Sequence, residues 1–182
     1  FLKLDPTCSY LLFFGLIRGY KGLDLALKAM AEPCVRDKNI RLIIAGEYYD
    51  KKEKYDAIIA ELGITDRILQ FDHYIPAEEV KYYFAVADCV LQPYKTATQS
   101  GITQVAYNFD TPMIVTNVGG LPEIVENGKV GFVVDVTEKA IADGICAFYD
   151  QQLKETFSQE VSIAKAKFSW SYFVEQLILK FF

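Results

Sequence analysis

The stretch YKTATQSGITQVAYNFDTPMIVTNVGGLPEIVENG, at positions 94–128, contains two successive strand-to-helix turns. A polar loop ends at Ser100-Gly101, and apolar residues then recur at three- and four-residue spacing, which predicts a helix. The apolar, β-branched run at 112–118 predicts a buried strand, and Gly119-Gly120 end it before a further short helix. Because the first N–H groups of a helix lack partners within the helix and favour anions, we expect a ligand site at these turns.

Length, composition and charge restrict the class of protein. The chain has 182 residues, of which 52% are hydrophobic, so it can form one domain with a substantial core. Its formal net charge is −5 without a long Lys/Arg run, which argues against a nucleic-acid partner and against docking on anionic lipid. No apolar run approaches the roughly 20 residues of a membrane span, and no signal peptide precedes the first strand. A small molecule fits best as the ligand.

The four cysteines, Cys8, Cys34, Cys89 and Cys146, lie far apart in the sequence. Without C-x-x-C or His-rich spacing they predict neither a zinc site nor a disulfide framework, so we expect buried thiols in a reducing cytoplasm. The chain begins at Phe1 without an initiator Met, and we expect it to be a piece of a longer protein.

Strand and helix patterns alternate along the whole chain. Strands are predicted at 10–14, 40–45, 68–71, 89–92, 112–118 and 130–134. Helices are predicted at 23–30, 51–62, 77–87, 101–109 and 137–149, and from 152 to the end with an interruption at 168–169. This alternation predicts a Rossmann-like, three-layer α/β/α domain with a mostly parallel sheet of about six strands. Ligands of such sheets bind at the carboxyl ends of strands, where the chain has the loop glycines Gly15, Gly46, Gly119 and Gly120.

The loop after the first strand, at positions 15–22, reads GLIRGYKG. Its glycines allow close backbone approach, and Arg18 and Lys21 can neutralise a diphosphate just before a helix begins. The alternative is that both cations are solvated loop residues. The loop has neither the G-x-G-x-x-G of a dinucleotide site nor the G-x-x-x-x-G-K-[ST] of a P-loop NTPase. Since no D-x-D motif occurs, we expect neither a metal nor another cofactor.

Four segments together resemble one enzyme family: FFGLIRGYKGLDLALKAM at 13–30, RLIIAGEYYD at 41–50, ADCVLQPY at 87–94 and GGLPEIVENGKVGFVV at 119–134. They are similar to the C-terminal, donor-binding half of sugar-nucleotide-dependent glycosyltransferases with the GT-B fold. Those enzymes form the retaining "glycosyl transferases group 1", which includes glycogen synthases and bacterial cell-surface polysaccharide enzymes. The resemblance implies that residues 1–182 bind a nucleoside-diphosphate sugar, and that an N-terminal acceptor-binding domain of the same enzyme is the partner.

The family also implies a role for the whole enzyme and a location. Such enzymes transfer the glycosyl group to an acceptor, here in cell-surface polysaccharide or glycolipid synthesis, and the catalytic residue usually lies in the other half. We expect a cytoplasmic enzyme. The alternative is a peripheral position at the inner membrane face, with the membrane contact made only by the other half of the enzyme. In the family the last helix, here 169–182, crosses back to the N-terminal domain, and packing on its own sheet is the alternative.

The resemblance assigns ligand roles to particular positions. The family loop G-R-L-x-x-x-K-G places an Arg and a Lys on the donor pyrophosphate. Lys21 matches, whereas Leu16 stands at the Arg position and Arg18 would have to replace it. The residues expected at the diphosphate are Arg18, Lys21, Ser100, Gly101 and Ile102. Those expected at the base are Tyr74 and Ile75, and those expected at the sugar and ribose are Gln99, Thr103 and Gln104.

Two carboxylates of the family pattern are missing. The pattern E-G-F-G-L-P-L-L-E-A-M-A-x-G-x-P has one Glu facing the donor sugar and another facing the ribose, and Ala97 and Val105 occupy those positions here. Nearby amides can still bond hydroxyls, although less strongly than an ionised acceptor does. Two alternatives therefore stay open: a non-catalytic nucleotide-sugar binding module, and a GT-B enzyme of other chemistry, such as a nucleotide-sugar epimerase or a phosphorylase.

The single histidine, His73, lies next to the expected base-binding residues. A catalytic His must reach a reacting proton, and no nearby Ser, Cys or carboxylate constellation accompanies this one. We therefore expect a loop residue near the base rather than an acid or base.

Overall fold

The structure, a computed structural model, describes residues 2–181, with the backbone alone at positions 170, 173, 180 and 181. Its strands are β1 Ser9–Phe14, β2 Ile40–Ala45, β3 Ile68–Phe71, β4 Cys89–Gln92, β5 Met113–Thr116 and β6 Gly131–Val134. They form one six-stranded sheet in the order β3-β2-β1-β4-β5-β6, and every neighbouring pair is parallel. The predicted parallel sheet is confirmed, with strand ends within two residues of those expected.

The helices follow the strands in the predicted order. They are α1 Leu23–Ala31, α2 Pro33–Arg36, α3 Lys52–Leu62, α4 Ala77–Val86, α5 Gly101–Asn108, α6 Leu121–Ile124, α7 Glu138–Asp150, α8 Lys154–Ala164 and α9 Trp170–Phe181. The sequence pattern does not predict α2, because four residues are too few to show an apolar period even with Pro33 in the first turn. The interruption predicted at 168–169 is a 3-10 turn at Lys165–Phe168 followed by Ser169.

Alternating side chains of the strands form two cores, one on each face of the sheet. On β1, Leu11 and Phe13 pack with residues of α1, α3 and α7, whereas Tyr10 and Leu12 pack with residues of α4, α5 and α8. All four side chains are at most 5% exposed. Burial on both faces explains why the strands read as continuous apolar runs. With helices on both faces, the three-layer α/β/α architecture is confirmed, and the carboxyl edge of the sheet is a rigid base for loops.

The strand order reverses between β1 and β4, which lie side by side although they are not consecutive in the chain. The loops that leave these two strands, at 15–22 and 93–100, run to helices on opposite faces of the sheet and open a crevice between them. The Lys95 N–H donates to the Tyr20 carbonyl at 2.7 Å and joins the two loops. The residues expected at the diphosphate and the sugar follow these two strands, and Tyr74 and Ile75 follow β3, so the fold brings both sets to one edge of the sheet.

The cysteines do not share one environment. Cys34 is exposed and Cys8 is half-buried, whereas Cys89 and Cys146 are buried. The expectation of four buried thiols holds for Cys89 and Cys146 and only in part for Cys8. It is wrong for Cys34, because Cys34 lies on the short surface helix α2, which apolar periodicity could not place.

The last helix, α9, leaves a row of apolar side chains exposed. They are Tyr172, Val174, Leu177, Ile178 and Leu179, and their exposed fractions run from 39% to 74%. Ser169 caps this helix, since its Oγ accepts the Tyr172 N–H at 3.1 Å. Among residues 2–181, no helix is both long enough and apolar enough to cross a membrane. Phe1 and Phe182, at the ends of the predicted domain, lie outside the described residues.

Candidate functional site

The first two turns at the carboxyl edge touch through glycines. Gly15 follows β1 with φ +95°, and its N–H donates to the Ala45 carbonyl at 2.9 Å. Gly46 follows β2 with φ +145°, and a Cβ there would lie 2.2 Å from the Gly15 carbonyl oxygen. Because no side chain fits in that distance, only glycine lets the two backbones meet. The two turns therefore meet backbone to backbone at the carboxyl edge of the sheet.

Lys21 ends the first loop as a buried cation. Its side chain is 8% exposed, and its Nζ lies 5.8 Å from the centre of the Tyr94 ring. A Cβ on Gly15 would lie 3.2 Å from both Lys21 Nζ and Ile102 Cδ1, so the amine lies in the crevice beside the start of α5. Within the described part of the chain, no hydrogen bond or ion pair reaches this amine. Burial, and then the charge of Arg18, lower the pKa of Lys21 to about 8.

Arg18 has a different setting although it belongs to the same loop. It is exposed, and its guanidinium lies 4.7 Å from the centre of the Tyr49 ring. Tyr49 belongs to the loop after β2 and is itself 57% exposed. The structure therefore shows one buried cation and one surface cation held on an aromatic ring.

The start of α5 presents a partly capped helix N-terminus. Ser100 Oγ accepts the Ile102 N–H at 3.2 Å and lies 3.2 Å from the Tyr94 hydroxyl. The Gly101 N–H has no partner among residues 2–181, and a Cβ on Gly101 would meet nothing within 4 Å. The Ile102 N–H is thus held by the protein's own cap, and Gly101 offers a free donor beside open space. Of the three predicted residues, Gly101 is the one whose backbone is available to an anion.

The diglycine turn packs against the loop that precedes α5. Gly119 has φ +52°, and a Cβ there would lie 1.7 Å from the Ala97 carbonyl oxygen. The Gly120 N–H donates to the Thr98 carbonyl at 2.8 Å. A Cβ on Gly120 would lie 3.7 Å from the Gln99 side chain, which is exposed at this junction. The prediction of two adjacent turns is confirmed, and Gln99 lies where they meet.

The other two residues expected at the sugar are placed elsewhere. Thr103 is fully buried, and its hydroxyl donates to Gln92 Oε1 at 3.3 Å. Gln104 lines a separate groove of about 460 Å³ with residues of α8 and the turn after it. The structure therefore leaves Gln99 exposed at the junction of the two turns, whereas Thr103 and Gln104 lie elsewhere. The reason is helical geometry: positions three and four after Ser100 turn inward and sideways, away from the helix start.

A cleft of about 150 Å³ lies beside the first loop. Its lining residues are Phe14, Gly15, Leu16, Gly46, Glu47, Tyr74 and Ile75. Tyr74 is 69% exposed, so its ring is accessible, whereas the Ile75 side chain is buried. The exposed His73 is not among the lining residues. Both residues expected at the base thus share one cleft next to the loop at 15–22.

Leu16 and Glu47 line the cleft, although neither is among the residues expected to bind the ligand. Each immediately follows a loop glycine at the end of β1 or β2, and this position at the switch edge is the sequence signal that could have identified them. Glu47 is exposed, so its carboxylate can accept a hydrogen bond from a ligand in the cleft. Within residues 2–181, no group of three or more His, Cys, Asp or Glu side chains could hold a metal ion.

Solved structures share this architecture. The C-terminal domain of a glycosyl transferase group 1 family protein (LpcC) from Francisella tularensis superposes with a TM-score of 0.77 at 18% identity, covering 87% of this chain and 85% of that one. Anabaena Alr3699/HepE, solved in complex with UDP and glucose, superposes with a TM-score of 0.76 at 20% identity, covering 95% of this chain and 48% of that one. The fold is therefore that of a GT-B C-terminal domain.

Sequence comparison identifies the family to which the chain belongs. The family model of glycosyl transferases group 1 matches residues 2–165. D-inositol 3-phosphate glycosyltransferase from Corynebacterium efficiens is 30% identical over 172 residues, which cover 91% of this chain and 40% of that protein. The chain belongs to the glycosyl transferases group 1 family. It spans about two fifths of the length of curated relatives such as this one.

Proposed function

We propose that this domain binds a nucleoside-diphosphate sugar and supplies the donor half of a retaining glycosyltransferase. The observation that carries the proposal is Lys21, a buried ammonium without a partner among the described residues, in the crevice beside the start of α5. A diphosphate between Lys21 and the free Gly101 N–H would accept hydrogen bonds from both. It would also supply the counter-charge that the buried amine lacks.

The same groups suit the chemistry of the donor. When the bond between the sugar and the diphosphate breaks, negative charge increases on the departing nucleoside diphosphate. A fixed ammonium and a helix N-terminus stabilise that charge without reorganising, because both are held at the edge of a rigid sheet. Arg18 would add a third positive group if its guanidinium moved from Tyr49 to the phosphates.

The base and the sugar would lie on either side of the diphosphate. The exposed ring of Tyr74 offers a stacking surface in the cleft beside Gly15, and the Ile75 backbone offers hydrogen bonds to the base edge. We propose that Gln99, an exposed amide at the junction of the two turns, binds sugar hydroxyls. Since Ala97 and Val105 stand where the family has carboxylates, we expect weaker hydrogen bonds to the hydroxyls than in most of the family.

We infer that the acceptor site and the catalytic residue belong to an N-terminal domain of the same enzyme. Two observations support this: the chain covers 40% of the Corynebacterium efficiens relative and 48% of the Anabaena structure. The exposed apolar row of α9 supports it too, because an adjoining domain would bury that row. The relatives' name, D-inositol 3-phosphate glycosyltransferase, supports glycosyl transfer, and we propose glycolipid or cell-surface polysaccharide synthesis as the setting.

Titration calorimetry on the 182-residue chain tests the donor site. UDP, GDP and ADP are titrated beside the matching nucleosides, with UDP first because a solved neighbour is in complex with it. At least one diphosphate should bind weakly, and its nucleoside should bind far less. The chain alone should transfer no sugar from the matching nucleotide sugar, because orientation by the other half is missing. If no diphosphate bound better than its nucleoside, or if the chain alone turned over, the proposal would be wrong.

A non-catalytic nucleotide-sugar binding module is the second candidate. The observation that favours it is the loss of both family carboxylates, at Ala97 and Val105. The two functions differ in the longer protein: a transferase needs a second Rossmann-like domain carrying an acid, a base or an acceptor site, whereas a binding module does not. Assay of the full-length protein with the nucleotide sugar that binds best separates them. If the sugar is epimerised instead of being transferred to an acceptor, the protein is a nucleotide-sugar epimerase with the GT-B fold.

A further inference from the structure

We propose that Cys34 and Cys146 are a covalent modification site, at which a small-molecule disulfide converts the two thiols into an intramolecular disulfide. The two residues are 112 positions apart in the sequence, yet their Sγ atoms lie 2.6 Å apart. Both are free thiols in the structure. A disulfide bond is about 2.05 Å long, so closing it needs a movement of only about half an ångström.

Secondary structure holds the pair together. Cys34 lies on α2 and Cys146 on α7, and the two helices pack against each other. The Cys34 Sγ also lies 3.9 Å from the Ala142 carbonyl, one turn before Cys146 on the same helix. Because both sulfurs are carried by helices of the folded domain, their approach does not depend on a mobile loop. A reagent that reacts at one sulfur therefore has the second sulfur directly beside it.

The two thiols differ in exposure, which sets the order of reaction. Cys34 is exposed, whereas Cys146 is 8% exposed. The Cys146 thiol is placed to donate its proton to the Cys34 sulfur. Burial, followed by this hydrogen bond, raises the pKa of Cys146 to about 12. Cys34 is thus the sulfur that attacks first, and Cys146 is the one that resolves.

Lys38 supplies positive charge beside the pair. Its Nζ forms an ion pair with Asp150, and both sulfurs act electrostatically on it. A nearby ammonium stabilises a thiolate, so Lys38 partly offsets the effect of burial on the Cys146 thiol. The site accordingly has an exposed sulfur, a resolving sulfur and a positive side chain.

The reaction balances with a low-molecular-weight disulfide such as oxidised glutathione. The Cys34 thiolate attacks one sulfur of the reagent, forms a mixed disulfide and releases one thiolate. Cys146 then gives its proton to solvent and attacks the Cys34 sulfur, which releases the second thiolate. Two protein thiols are oxidised, one reagent disulfide is reduced to two thiols, and the protein loses two hydrogen atoms.

The other two cysteines serve as matched controls. The Cys8 Sγ donates to Asn39 Oδ1 at 3.3 Å, and Cys89 is fully buried in the sheet, where burial raises its pKa well above the ordinary value. Trypsin cleaves after Lys and Arg, and it places the four cysteines in four different peptides: 4–18, 29–36, 82–95 and 140–154. A disulfide between 29–36 and 140–154 is therefore unambiguous.

The 182-residue chain is incubated with oxidised glutathione at neutral pH, alkylated and digested without reductant. Peptide mass spectrometry should find 29–36 joined to 140–154, with Cys8 and Cys89 alkylated. In Cys146→Ser a glutathione adduct should persist on Cys34, and in Cys34→Ser neither peptide should be modified. Cys8→Ser should form the cross-link at the wild-type rate. A lasting glutathione adduct on wild-type Cys34, or cross-links that join two molecules, would overturn the proposal.

A thermal melt gives a second readout. A disulfide that closes so long a loop restricts the unfolded chain, so the oxidised protein should melt about 5 to 10 °C higher than the reduced protein. The difference should vanish after reduction and should be absent in Cys34→Ser. If the cross-linked protein melted at or below the temperature of the reduced protein, the two helices would not hold the sulfurs in a bonding geometry, and the site would not be preformed.

Discussion

The two turns that leave β1 and β4 lie side by side, yet one offers a charged side chain and the other a backbone N–H group. The first turn, at 15–22, contributes a side-chain charge, the buried amine of Lys21. The second turn, at 93–100, contains an exposed cation in Lys95, but that ammonium pairs with Asp24 at 2.7 Å. What the second turn offers instead is the free Gly101 N–H at the start of α5.

This difference shows how an anion site can be divided between two strands. Lys21 is costly to the fold, because a buried ammonium without a counter-anion is poorly solvated. Gly101 has no such cost, because its N–H is an end group that every helix leaves open. A ligand that needs both must be long enough to reach from one turn to the other, as a diphosphate is.

The largest effect is expected from Gly101→Asp. The added carboxylate places negative charge where the diphosphate would meet the helix N-terminus, so nucleoside diphosphate affinity should fall by about a hundredfold or more. The fold should persist, because a Cβ at this position meets nothing within 4 Å. Calorimetry measures the affinity, and a thermal melt checks the fold.

Gly101→Asn is the matched control, since it has nearly the same shape without the charge. It should keep most of the affinity. Equal losses in both variants would mean that bulk rather than charge matters, and unchanged affinity in Gly101→Asp would place the phosphates away from α5.

The next effect concerns the amine of Lys21. Lys21→Met keeps an unbranched side chain of similar length but removes the charge, and it should weaken nucleoside diphosphate binding by about tenfold or more, since hydrogen bonds to charged groups contribute roughly 1.5 to 3 kcal/mol. Affinity for the nucleoside should change little. Parallel calorimetric titrations of the diphosphate and the nucleoside provide the check, and equal losses for both ligands would contradict a phosphate role.

The pH dependence of binding follows from the same residue. The pKa of Lys21 is lowered to about 8 in the free protein, so the amine is charged at pH 7 and loses its proton above pH 8. A bound diphosphate favours the charged form, and affinity should therefore decline above pH 8, by up to about tenfold per pH unit. Lys21→Met should show no such decline. A wild-type profile that stayed level up to pH 9.5 would separate Lys21 from the ligand.

Lys21→Met should also stabilise the free domain at pH 7. With a pKa of about 8 when folded and 10.5 as its ordinary value, Lys21 binds more protons in the unfolded state between those pH values. The penalty is complete below pH 8 and is relieved as pH rises towards 10.5, so wild-type stability rises over that range. Replacing the amine by Met should raise the free energy of unfolding at pH 7 by about 1 to 3 kcal/mol. Urea unfolding at pH 7 and pH 10 measures it, and destabilisation at pH 7 would contradict this account.

The sequence predicts the fold more fully than the site, and Thr103 shows why. The apolar runs of the strands are local signals, and the buried sheet satisfies them, so strand order and helix order follow from the pattern. The direction of a side chain depends on its position around the helix axis. Because the family carboxylates are replaced here, the motif no longer indicates which helix positions face the ligand. The motif predicts Thr103 and Gln104 at the sugar and ribose, whereas the structure turns both side chains away from the helix start. Contacts across long sequence distances, such as Arg18 on Tyr49 and Cys34 on Cys146, leave no periodic signal at all.

The smallest effect is expected from Arg18→Ala, and it decides whether the first turn has one functional cation or two. Arg18 is exposed and already held by Tyr49, and an exposed cation–π contact contributes roughly 0.5 to 1 kcal/mol, which a phosphate contact must replace. The net loss of diphosphate affinity should therefore be about three- to tenfold, smaller than that of Lys21→Met.

Tyr49→Leu is the matched control: it frees the guanidinium without removing it, so affinity should stay equal or rise slightly. Because Arg18 and Lys21 would share one dianionic ligand, the double variant should lose less than the sum of the single losses. If Arg18→Ala left calorimetric affinity unchanged, Arg18 would be a surface residue, and the diphosphate would depend on Lys21 and the start of α5 alone.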